Sequence, residues 1–141
     1  MSLLDADLKF TKGRIIWLQG LRGLGAIQLD AGRAGDAVST LRRVVAFGEG
    51  NPASYGETLN YLAECHALLG RAAGVPGSGL PPGEGPVELE RAMEMLRRAV
   101  AAGYRDVAWM RRDPDLDPLR PRADFQVFLL DLAFPADPFT R

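Results

Sequence analysis

The 141-residue chain contains one cysteine, Cys65, and one histidine, His66. A single cysteine excludes an internal disulfide and removes any cysteine-based zinc cluster. Lysine is nearly absent: Lys9 and Lys12 are the only two, and the remaining basic charge is arginine. The formal net charge is -1, which leaves no bulk electrostatic argument for nucleic acid or for an anionic membrane surface. No apolar run approaches the roughly 20 residues that a membrane helix needs. Residues 1–10 alternate charge with leucine, which is not the pattern of a secretory signal. Phosphate-loop chemistry is also missing. Gly20-Leu21-Arg22-Gly23-Leu24-Gly25 lacks the G-x-G-x-x-G order, and no strand precedes it, so these glycines read as close helix contacts. The expectations are therefore negative: no cofactor, no metal, no nucleic acid, no membrane insertion, no enzyme activity and a cytoplasmic location.

What is present is helical periodicity, organised around residues 21–45. Leu21, Leu24 and Gly25 lie on one pattern, Gly32 supplies a left-handed stop, and Ala37, Val38, Leu41, Val44 and Val45 form a single stripe at helical spacing. The first helix, from about residue 14, carries apolar residues on more than one face, as expected for a helix buried on both sides. A second copy follows. Leu21, Leu24, Gly25 and Gly32 match Leu59, Leu62, Ala63 and Gly70, each pair 38 positions apart. Ala37, Val38, Leu41 and Val44 match Ala92, Met93, Leu96 and Ala99, each pair 55 positions apart. The difference, 55 minus 38, is 17 residues and must lie within the second hairpin at 71–86. That segment, RAAGVPGSGLPPGEGP, has loop composition and reads as a mobile surface insertion.

Beyond Gly103 the chain carries a short helix over 105–112 and a closing helix over 122–133 with the stripe Phe125, Phe128, Leu129 and Leu132. The expected organisation is an extension at 1–13, one helical domain at 14–133 and an aromatic tail at 134–141. A chain starting within a pattern reads as a piece of a longer protein. Asp113 and Asp117 each precede a proline and are N-cap candidates. Asp113, Asp115, Asp117 and Asp124 imitate a calcium loop, but Pro118 stands where that loop requires glycine, so capping is the expectation. His66 and Cys65 are sequence neighbours and point about 100° apart on a helix, so His66 reads as a packed or partly exposed histidine. Arg42-Arg43 and Arg97-Arg98 are repeat-equivalent; they could form an outer arginine ladder or a solvated face paired with Glu90 and Glu94.

Helix–turn–helix units with a Leu-Gly pair and small residues at helix contacts resemble the tetratricopeptide repeat, whose unit is about 34 residues. Leu24-Gly25 and Leu62-Ala63 stand at its Leu-Gly pair, Ala37 and Ala92 at its first second-helix alanine, and Val44 and Ala99 at its second. Leu21 and Leu59 replace its early tryptophan. The run AAGYRDVAWMRRDPDLDPLRPRADFQ resembles the segment closing such arrays in bacterial multidomain proteins, serine/threonine protein kinases among them. No kinase motif occurs in the chain itself. The resemblance implies an all-α superhelix of two hairpins, a short helix and a closing helix. It implies a non-catalytic protein–protein interaction module, regulatory or scaffolding, that takes a protein or peptide in a concave groove. The alternative is a structural spacer or self-association element, such as a homodimer. The family's groove positions fall on Gln19, Arg22, Ala26, Glu57, Asn60, Tyr61 and Glu64. Arg22, Asn60 and Glu64 are expected side by side on one exposed surface.

Overall fold

A computed structural model of the chain describes residues 3–50 and 56–134, with side chains from residue 13 onward outside 49–50. Those residues form six α-helices and one 3-10 helix, with no strand among them. The α-helices are α1 (Leu3–Asp30), α2 (Ala34–Gly50), α3 (Gly56–Ala72), α4 (Glu84–Ala101), α5 (Val107–Arg112) and α6 (Ala123–Ala133); the 3-10 helix is Pro114–Leu119. The all-α class matches the sequence expectation. The helix expected from about residue 14 begins at Leu3. The aromatic tail after Phe134 lies outside the described residues.

The chain is built around α3, which packs against α1, α2, α4 and the 3-10 helix. Two apolar cores flank it. Leu18, Val38, Leu41, Val44, Leu62, Cys65 and Leu68 form one. Ala63, Ala67, Ala92, Met93, Leu96, Met110, Leu116, Leu119 and Phe125 form the other. Both repeat stripes are buried: Ala37, Val38, Leu41 and Val44 in α2, and Ala92, Met93, Leu96 and Ala99 in α4. Period-3.6 stripes are the part of a sequence most directly converted into burial, because a helix can present only one such face to a neighbour.

Three expectations are corrected. First, α1 is buried on one side only: Ile16, Leu24 and Ile27 are 68%, 43% and 66% exposed. It stands at the end of the stack, so its outer apolar residues meet no further helix among the described residues. Second, the match of Gly32 with Gly70 fails as a turn. Gly32 has φ +79°, the left-handed stop expected of it. Gly70 lies inside α3, where a Cβ would sit 2.6 Å from Leu89 Cδ2, and the left-handed residue is Gly74 instead. Third, the insertion is shorter than 16 residues and, although most of 74–83 lies on the surface, it is tied down at Ser78 and Leu80. Helix α3 continues to Ala72, and α4 starts at Glu84 with Pro86 in its first turn, where the missing N–H costs nothing. Between them Ser78 and Leu80 are buried, and Leu80 joins the first core. The Gly74 N–H donates to the Leu80 carbonyl at 2.8 Å, and the Leu80 N–H to Ser78 Oγ at 3.1 Å. The loop lies so close on α2 that a Cβ on Gly35 would be 2.7 Å from the Gly77 carbonyl oxygen.

Gly25 shows why small residues recur at the helix contacts. A Cβ there would sit 2.6 Å from Leu41 Cδ2, and Leu41 is fully buried. Ala63 is likewise fully buried in the second core. Gly25→Leu and Ala63→Leu should therefore each lower stability by about 1–3 kcal/mol through overpacking. Thermal melts check this; unchanged melting temperatures for both would contradict the packing.

Candidate functional site

Gln19 and Arg22 of α1 and Glu57, Asn60, Tyr61 and Glu64 of α3 line one pocket of about 280 Å³. Their spacing explains the convergence. Gln19 and Arg22 are three apart on α1, while Glu57, Asn60, Tyr61 and Glu64 repeat at three and four along α3, so each set shares a helix face. The other wall comes from the segment after α4: Tyr104, Asp106 and Trp109. Asp106 is the N-cap of α5, and its Oδ1 accepts from the Trp109 N–H at 3.0 Å, which fixes the start of the helix bearing that indole. Ala26 is not in the pocket; it packs against the first core.

The expectation that Arg22, Asn60 and Glu64 lie exposed is overturned. Asn60 and Glu64 are each 1% exposed. The Arg22 guanidinium reaches Glu64 Oε2 through Nε at 2.9 Å and Asp115 Oδ2 through Nη1, with 17% of its side chain exposed. It also sits over the Tyr61 ring, 5.6 Å from its centroid. Asn60 Nδ2 donates to Glu64 Oε1 at 2.9 Å, and Tyr61 Oη donates to Glu57 Oε1 at 2.8 Å. A buried charge needs a partner, and Arg22 has two.

Three acidic side chains, Glu64, Asp113 and Asp115, bear on Arg22. Asp113 is fully buried and caps the 3-10 helix, its Oδ1 accepting from the Asp115 N–H at 2.9 Å. Burial, then the hydrogen bond and charge of Asp113, push the Glu64 carboxyl up to about 9, against the pull of Arg22. A hydrogen bond to Asp113 is one of the causes that keep the proton on Glu64. Burial raises Asp115 as well, with the charge of Asp113 adding to it and Arg22 opposing. Tyr104, in the pocket wall, is pushed up to about 12 by burial and by the negative charges of Asp106, Glu64, Asp113 and Glu57.

These shifts set the pH dependence of stability. Folded Glu64 keeps its proton to about 9, whereas the ordinary value is 4.5. Between those values the native state binds more protons than the unfolded chain, so stability falls as pH rises. The contribution is complete below the ordinary value and is lost as pH rises through the folded one. Urea midpoints should decline from about pH 5 to about pH 9. Glu64→Gln, which imitates the protonated form, should flatten that decline; an unaltered slope would place the proton elsewhere.

Among the remaining sequence candidates, the Asp113 capping expectation holds, but Asp117 caps nothing and instead pairs with Arg120 at 2.7 Å. No group of three or more His, Cys, Asp or Glu among the described residues is placed to hold a metal ion. His66 is buried and its Nδ1 lies 2.7 Å from Glu88 Oε2 of α4, a partner 22 positions away. Burial opposes ionisation of Glu88, but the hydrogen bond and charge of His66, with Arg91, outweigh it and hold the carboxyl below its usual range. Cys65 is fully buried, and burial raises its thiol far above the ordinary range, which makes it inert. Arg97 pairs with Asp124 at 3.5 Å and lies 3.9 Å from Glu90, while Arg42 and Arg43 are exposed.

Tyr104, Asp106 and Trp109 as pocket residues, and Asp113 and Asp115 as charge partners of the groove, are not evident from the sequence. The only signal was the position of the YRDVAW segment directly after the second hairpin. No described helix is long and apolar enough to cross a membrane. Comparison with protein-family models, with curated proteins and with solved structures found no match.

Proposed function

We propose that the chain is a non-catalytic protein–protein interaction module of tetratricopeptide-like design, which takes a protein or peptide partner in the pocket between α1, α3 and α5. The observation that carries this reading is the convergence of Gln19, Arg22, Glu57, Asn60, Tyr61 and Glu64 on one pocket. These six stand at the groove positions that the repeat resemblance implies. The likeness of the closing segment to that of bacterial serine/threonine kinases supports a regulatory or scaffolding place within a larger signalling protein.

A second reading, self-association or a spacer role, is favoured by the outer face of α1, where Ile16, Leu24 and Ile27 are exposed. Exposed pocket residues separate the two. Glu57 and Gln19 are both exposed, so Gln19→Ala with Glu57→Lys should cost no more than the Tyr61–Glu57 hydrogen bond, about 1 kcal/mol. Partners captured from native lysate, identified by mass spectrometry, should be lost from this variant and retained by Arg43→Glu. Equal capture by both removes the pocket as the binding surface. A concentration-dependent dimer that captures nothing supports the second reading.

A further inference from the structure

The pocket is acidic and aromatic, and its single cation is already committed. Glu57 and Asp106 are exposed carboxylates in its lining, and Tyr61, Tyr104 and Trp109 are its rings. Arg22 is occupied by Glu64 and Asp115. An anionic ligand would have to displace Asp115 and the protonated Glu64 and then sit beside Glu57 and Asp106. Arg22 Nε makes no aligned hydrogen bond but lies 2.9 Å from Glu64 Oε2, whereas the pocket atom left with no such neighbour is an acceptor. Asn60 is 1% exposed and lines the pocket, yet its Oδ1 has no hydrogen-bond partner among the described residues. A buried acceptor without a donor is unfavourable, because it has lost its water without gaining a partner. It therefore marks where a ligand N–H would be gained most favourably. Aromatic faces bind cations through their negative quadrupole, and Trp and Tyr are the better rings for it. At about 280 Å³ the pocket falls just below the roughly 300–1,000 Å³ of sites for drug-sized molecules, so it suits one long side chain.

We propose that this pocket receives a single cationic side chain, a guanidinium or an ammonium, with Glu57 and Asp106 as its counter-charges, Asn60 Oδ1 as an acceptor and Trp109 and the tyrosines as its walls. The proposal deepens the binding-module reading and rests on it only for the source of the cation, an arginine or lysine of the partner. Guanidinium is the better fit, because it is planar, stacks on rings and is more weakly hydrated than ammonium. Glu64 takes no part as a counter-charge at neutral pH, since it holds its proton there.

The test is titration of the isotope-labelled chain, followed by nuclear magnetic resonance, with the Nα-acetyl amides of arginine, lysine, citrulline and glutamate. The arginine and lysine probes should shift the Asn60 side-chain amide and the Trp109 indole, arginine at the lower concentration. Citrulline, the neutral isostere of arginine, should bind at least tenfold more weakly, and glutamate not at all. Glu57→Gln combined with Asp106→Asn keeps the Tyr61 acceptor and the α5 cap but removes both charges. It should weaken the arginine probe at least tenfold without lowering the melting temperature, and added salt should do the same to the wild type. Equal binding of citrulline and arginine, preference for glutamate, or indifference to the charge-removing pair overturns the proposal. If the pocket variants lose a captured partner while no cationic probe binds, this proposal fails and the binding-module reading stands. If the probes bind but no partner is captured, the cation site stands and that reading falls.

Discussion

Arg22→Ala is expected to destabilise the chain by about 3–5 kcal/mol, the cost of leaving buried charge unpaired. The residue joins α1 to α3 through Glu64 and to the 3-10 helix through Asp115, 93 positions away. Its removal takes away the cation that offsets the buried carboxylates Asp113 and Asp115. Two controls separate charge from packing. Arg22→Met restores most of the aliphatic stem and should recover little. Arg22→Ala with Asp115→Asn removes one uncompensated charge and should recover part of the loss, a coupling read from a double-mutant cycle in urea. A loss below about 1 kcal/mol for Arg22→Ala would mean that the pair behaves as a surface ion pair. As a groove residue read from repeat position, Arg22 tolerates charge reversal; as the hinge of a buried cluster, it does not.

Leu80→Ala is expected to cost about 2–5 kcal/mol, the range for a large aliphatic removed from a core. The side chain is 5% exposed and packs with the core between α2 and α3. Replacing the 73–83 loop by a four-residue turn should cost at least as much, since it removes Leu80 and uncovers that core. Limited proteolysis gives a second readout. The wild-type loop should resist cleavage until the chain unfolds, and Leu80→Ala should admit cleavage near residues 77–79 well below the melting temperature. Rapid nicking of the wild type at Gly77 or Gly79 would mean that Leu80 does not anchor the loop.

The sequence by itself determined the all-α class, the two buried stripes and six of the pocket's residues. Each of these is written in spacing: period-3.6 stripes in α2 and α4, the left-handed glycine at position 32, and six polar residues sharing two helix faces. Spacing is local, so one sequence is enough to read it. Tertiary structure alone decided whether those six residues are wet or dry. Asn60 and Glu64 occupy positions that look solvent-facing on α3, and the arrival of Asp113 and Asp115 beneath them closes the floor. No period links position 22 to position 115, and the desolvation that lifts Glu64 exists only once both are in place. The insertion shows the same division. Its glycines and prolines correctly exclude a regular helix over 73–83, because they report backbone freedom. They carry no information about Leu80, whose burial depends on a gap between α2 and α3 that appears only when those helices have packed.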